Sequence, residues 1–101
     1  MRDESFKDFV LDQLSSLESV FARKMFSGHG LYLRKKFFGI ISDDRLYFKT
    51  DEKTKETYRA AGMEPFRPSD VQTLKNYYEV PPEVLEDADQ LSQFAEEAAS
   101  I

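Results

Sequence analysis

The stretch GLYLRKKFFGIISDDRLYFK, Gly30 to Lys49, decides the fold. In its first segment Leu31 and Leu33 alternate with Tyr32 and Arg34. In its last, Leu46 and Phe48 alternate with Tyr47 and Lys49, the period of two that a strand shows when its faces differ. Between them FFGIIS is a continuous apolar run, as expected of a central strand covered on both sides. Arg34-Lys35-Lys36 and Ser42-Asp43-Asp44 interrupt the pattern and suit short hairpin turns. Three antiparallel strands in a meander are expected.

Upstream, Phe6, Phe9, Val10, Leu14 and Leu17 recur at helical spacing, with Lys7, Asp8, Asp12 and Gln13 on the other face. This predicts a helix capped by Asp3 or Ser5 and ending near Leu17. Downstream, TDEKTKETYRAAG reads as a helix capped by Thr50 or Asp51. Gly62 stands at its left-handed end, Thr54, Tyr58 and Ala61 form its inner face, and Asp51 and Lys55 are an i,i+4 pair. MEPFRP and LKNYYEVPP follow as two extended segments, the first confined to an edge by Pro65 and Pro68. Tyr77 and Tyr78 should point to opposite faces. Pro82 opens a short turn, and Asp87-Ala88-Asp89-Gln90 fits a capping box before the apolar stripe Leu91, Phe94, Ala95, Ala98. The order α-β-β-β-α-β-β-α gives an α+β fold: an antiparallel sheet with helices packed on it.

Composition agrees. The chain has 101 residues, 41% hydrophobic and 33% charged, which suits one globular domain spanning 1–101. Nine Phe and five Tyr supply large buried area, and most of these rings are expected in the core. There is no cysteine, so disulfides, thiolate nucleophiles and Cys-ligated zinc are excluded. No apolar run approaches the roughly 20 residues of a membrane helix, and the charged start MRDESFKDFV is not a signal peptide. A cytoplasmic protein is expected.

Net charge is −5 and unevenly spread. Residues 76–101 hold seven of the 19 acids and no Lys or Arg, leaving 14 bases against 12 acids elsewhere. That end is unsuited to phosphates.

The segment KMFSGHGLY, Lys24 to Tyr32, holds the only histidine, between Gly28 and Gly30. A phosphate-binding loop needs a longer glycine pattern leading into a helix, and a metal needs further ligands at set spacing. Ser27 and His29 are not read as a nucleophile–base pair. Glycines placed where a strand bends or bulges explain the motif, so His29 is read as structural. Asp43-Asp44 is read as turn chemistry, not a catalytic pair. No catalytic, cofactor or metal residue is assigned.

Arg23, Lys24, Arg34, Lys35 and Lys36, interleaved with Phe26, Tyr32, Phe37 and Phe38, resemble the mixture that binds single strands. With an acidic chain and no groove-reading motif, direct nucleic-acid binding is not expected.

Taken together, ARKMFSGHGLYLRKKFFGIISDDRLYFKTDE, YRAAGMEPF and YYEVPPEVLEDADQLSQFAEEA, in this order, resemble the TfoX N-terminal domain family of competence regulators (TfoX/Sxy). The resemblance spans Ala22 to about Ala98. It implies a two-layer antiparallel sheet with helices, α-β(3)-α-β(2)-α, and no established catalytic residues. The larger regulators carry a second, helical domain, so it implies here a stand-alone, single-domain member ending at Ile101. It also implies regulation of DNA transformation genes through a transcription activator of the cyclic-AMP receptor protein type. The expected function is a non-enzymatic protein-interaction domain with a protein partner, self-association as a homodimer being a further option. The candidate contacts are Arg23, Lys24, Arg34, Lys35 and Lys36 on one rim, with Tyr32 and Tyr47 on the outward face. The alternative is a small-ligand-binding or enzymatic domain with its pocket between the sheet and the C-terminal helix.

Overall fold

The computed structural model describes residues 2–25 and 28–101. One six-stranded antiparallel sheet forms the molecule's backbone: β1 (Val20–Met25), β2 (Gly28–Leu33), β3 (Lys36–Ser42), β4 (Arg45–Lys49), β5 (Pro65–Ser69) and β6 (Gln72–Glu79), in spatial order β1-β2-β3-β4-β6-β5. Four helices accompany it: α1 (Arg2–Gln13), α2 (Lys55–Ala60), α3 (Pro82–Leu85) and α4 (Ala88–Ala99). The α+β class and the antiparallel sheet stand as read from the sequence. The strand count does not: β1 adds a fourth strand to the expected meander.

Both predicted hairpins close with two residues. Leu33 pairs with Lys36 across Arg34 (φ 50°) and Lys35 (φ 71°), and Ser42 with Arg45 across Asp43 (φ 54°) and Asp44 (φ 60°). Positive φ at both central positions is the type I′ turn, whose twist matches that of the strands it joins. Side chains other than Gly or Asn pay for that conformation through their Cβ atoms. Lys35→Gly is therefore expected to stabilise the fold by about 0.5–1 kcal/mol, read as a raised denaturant midpoint.

Pairing fixes the two faces. Val20, Ala22, Leu31, Leu33, Ile41, Leu46, Phe48, Tyr78 and Val80 share one face and pack beneath Val10 and Leu14 of α1 and Leu91, Ala95 and Ala98 of α4. A bulge between Leu31 and Tyr32 makes Phe38 an extra residue on that side, and its ring lies 5.4 Å from that of Phe48. Tyr78 points into the core and Tyr77 away from it, as alternation requires.

Helix ends are where expectation and structure part. α1 starts at Arg2, so Asp3 and Ser5 lie inside it, and it ends at Gln13 rather than near Leu17. Past Gln13 the chain tightens: Ser15 donates to the carbonyl of Asp12 and Leu17 to that of Leu14, before Ser19 turns left-handed at φ 65°. Serines favour such local geometry over helix. α2 starts at Lys55, and the predicted cap Asp51 instead accepts from the N–H groups of Lys53 and Thr54 in the approach turn. The Asp51–Lys55 side-chain pair is absent. Lys55, only 6% exposed, sends Nζ to Glu52 (3.3 Å) and Asn76 (3.4 Å). Ala61 is exposed and not part of an inner face. Gly62, at φ 81°, donates to the carbonyl of Arg59 and Met63 to that of Tyr58, a Schellman ending.

At α4 the predicted cap Asp87 accepts from the Gln90 backbone N–H (3.1 Å) and side-chain amide (3.0 Å), while its own N–H donates to the Val84 carbonyl, so the N-cap forms without the reciprocal bond of a capping box. The Gln90 side-chain bond holds the Asp87 carboxyl below its usual range, and the Thr54 N–H does the same for Asp51. A depressed folded-state pKa contributes stability above the unfolded value of about 3.9 and loses it as pH falls through the folded value. Acid titration of stability should thus decline below about pH 4. Asp87→Asn, which keeps a capping oxygen, should flatten that decline, whereas Asp87→Ala should lower the melting temperature at neutral pH.

Candidate functional site

The helices cover one face of the sheet. On the other, β5 and the start of β6 curl back so that the Phe66 ring lies 4.6 Å from that of Tyr47. This covers one half of the face, burying Ile40 and Tyr47. Burial and the neighbouring Glu79 carboxylate push the Tyr47 phenol pKa up. Tyr47 thus lies on the outward side, as expected, but at 9% exposure it is beneath the hairpin rather than free to touch a partner.

The remaining half, toward β1, carries a row of rings. Phe21 and Tyr32 stand 5.0 Å apart with planes within 6°. Tyr32 lies 5.3 Å from Phe37, and Phe37 lies 5.8 Å from Tyr77. Gly30 sits below the row: a Cβ there would come within 2.8 Å of the Phe37 ring and 3.1 Å of Met25 Sδ. The missing side chain lets both settle on the backbone. Phe21, at the outer end, is 41% exposed.

The predicted cations follow this side of the molecule. Arg23 projects from β1 onto the uncovered face opposite Gly30, exposed. Lys24 projects toward the helix side opposite His29, within the field of Glu4. Arg34 and Lys35 form the β2–β3 turn beside the start of β1, where the Arg34 N–H donates to the Ser19 carbonyl. Arg34 Nη2 also donates to Glu96 Oε1 at 2.8 Å, an exposed pair. Lys36 follows, exposed, opposite Leu33. Among the described residues, Arg23, Lys24, Lys35 and Lys36 form no ion pair. Phe38, read as part of the same mixture, is fully buried on the helix side. Phe26 and Ser27 lie outside the described residues.

Phe21 was not singled out by sequence, whereas Phe37 was read in the cation–aromatic mixture and Tyr77 only as pointing away from Tyr78. The signal for Phe21 existed, in the alternation of Val20 and Ala22 with Phe21 and Arg23.

His29 is 5% exposed, with Nε2 3.3 Å from Glu4 Oε2 and Nδ1 without a hydrogen-bond partner among the described residues. Gly28 and Gly30 do not have the positive φ of a strained turn. Their smallness serves close approach instead. Among the described residues no three His, Asp or Glu side chains are placed to hold a metal ion.

Between the sheet and α4, Leu91 and Ala95 are fully buried against the core strands. A largely apolar cavity of about 410 Å³ lies instead under the β5–β6 hairpin, lined by Met25, Ile40, Phe66, Pro68 and Leu74 among others. No described helix is long and apolar enough to cross a membrane.

No curated protein sequence matches this chain. The family model described as the TfoX N-terminal domain matches residues 12–101, which takes in all six strands, α2, α3, α4 and the end of α1. With nearly its whole length matched, the chain belongs to the TfoX N-terminal domain family.

Proposed function

We propose that this protein is a non-enzymatic interaction domain, cytoplasmic, that takes part in regulating transcription of DNA-transformation genes. Membership of the TfoX N-terminal domain family supports the regulatory role. The interaction role is carried by one observation: the uncovered half of the sheet ends in an exposed Phe21 near Arg23, Lys24, Lys35 and Lys36, which no described acid pairs, Arg34 alone of the rim being held by Glu96. Charge arranged this way sets partner choice and association rate more than folding stability. The partner proposed is a transcription activator of the cyclic-AMP receptor protein type.

Replacing Arg23, Lys24, Lys35 and Lys36 together with Glu should weaken co-precipitation of that activator roughly tenfold or more and lower a competence-promoter reporter in step. All four are exposed, so circular dichroism should show the fold retained. Unchanged capture and unchanged reporter output in a folded variant would refute the assignment.

A further inference from the structure

The two edges of the sheet are built differently. β5 carries Pro65 and Pro68, and its register with β6 shifts twice within five residues. Proline and irregularity are the usual protections of an edge against further pairing. β1 has neither. All six of its residues pair with β2 in one unbroken register, from Val20 opposite Leu33 to Met25 opposite Gly28. Its other side has no strand beside it among the described residues, so alternate N–H and C=O groups there face outward.

We infer that the β1 edge binds an extended, acid-bearing segment of a partner protein, added as a seventh antiparallel strand. The inference rests on the interaction-domain reading above and names the mode and chemistry of the contact. Three features select this occupant. Arg23 and Lys24 are successive residues of β1 and so project to opposite faces. A strand with acids opposite both meets one on each side. Phe21 ends the ring row with its inner side covered by Tyr32, so an aromatic residue placed opposite it extends the stack by one strand. The same cations disfavour a second copy of β1, since self-pairing gathers two Arg23 and two Lys24 side chains at one seam. Single-stranded nucleic acid is the weaker fit, because successive bases need several open ring faces and the Phe21–Tyr32 stack leaves only the outer face of Phe21.

The probe is the peptide acetyl-Thr-Glu-Glu-Val-Tyr-Val-Thr-amide. Paired antiparallel, its acids oppose Lys24 and Arg23 and its tyrosine opposes Phe21. Titration into the isotope-labelled full chain should give saturable amide shifts centred on β1 and slowed hydrogen exchange there. A peptide with Lys for both Glu should bind roughly tenfold more weakly. Arg23→Glu with Lys24→Glu, an exposed pair of changes, should invert that preference.

Equal binding of the two peptides, or shifts centred on the β5–β6 cavity, overturns the proposal. So does tighter binding of oligothymidine than of the acidic peptide, or a doubling of mass on concentration that the double substitution abolishes. If the peptide fails while the four-residue variant still loses the activator, strand addition falls and the interaction reading stands. If the peptide binds as expected while activator and reporter ignore the charge changes, the edge site stands and the regulatory reading falls.

Discussion

Gly28→Ala is expected to cost about 3 kcal/mol of stability, lowering the melting temperature by roughly 15 °C. A Cβ at Gly28 would overlap the carbonyl oxygen of Ile41 and crowd Ser42 Cα at 3.3 Å. Both obstacles are backbone atoms of β3, held by the β2–β3 ladder in which His29 faces Ile41. Relief therefore requires moving the ladder itself. Two other glycines calibrate the claim. At Gly30 the neighbours are the Phe37 ring and the Met25 sulfur, side-chain atoms that can turn aside. At Gly62 nothing lies within 4 Å, but φ is 81°, so alanine there meets only left-handed strain of about 1 kcal/mol. Thermal melts of the three alanine variants should rank Gly28 as the most damaging by a wide margin. Should Gly28→Ala melt no lower than Gly62→Ala, the close approach of β3 to β2 is wrong, and with it this explanation of the Gly-His-Gly motif.

That series also marks how far the sequence carried. Local chemistry was legible. Arg34-Lys35 and Asp43-Asp44 sat where two-residue turns were needed, Gly62 where a left-handed ending was needed, and Asp87 three residues before Gln90. Each of these is decided within about one turn of chain, so a linear reading sees all the partners. What depends on distant partners was not legible. Lys55 looked like a surface mate for Asp51, yet Asn76 on β6 and Glu52 draw its Nζ over a buried stem. The strand β1 was hidden because Arg23 and Lys24 were read as part of a cationic rim and the meander was read from Leu31 onward. Its pairing with β2 supplies the order that its own composition does not.

The candidate surface shows the same division. The cations Arg23, Lys24, Lys35 and Lys36 could be picked out because charge is a property of the residue. Which rings join them depends on which face of the sheet the helices cover. Nine Phe and five Tyr invited the reading that most rings pack inside. Instead Phe38, Phe48, Tyr58 and Tyr78 fill the helix side, while Phe21, Tyr32, Phe37 and Tyr77 line the other. Alternation divides residues between two faces but carries no sign for in and out.

Phe48→Ala is the complementary test of that division, and about 3–5 kcal/mol of destabilisation is expected. Phe48 is fully buried on β4, a central strand, tilted against Phe38 at 5.4 Å under the helices. Its ring has core on every side, so truncation leaves a cavity that β-sheet and helix cannot readily collapse. A domain of this size commonly has about 5–15 kcal/mol in total, so the variant should unfold at far lower denaturant and sit near the margin at 37 °C. Phe21→Ala removes a ring of the same chemistry from the other face. Already 41% exposed, Phe21 has much less burial to lose, and a cost of about 1 kcal/mol or less is expected. Urea midpoints of the two variants decide the point, and their order matters more than either value. Comparable losses would mean that the ring row belongs to a second core rather than to a surface held ready for a partner. A large loss at Phe48 with a small one at Phe21 leaves the outer ring's exposure without a folding role, which is the condition for assigning it to binding.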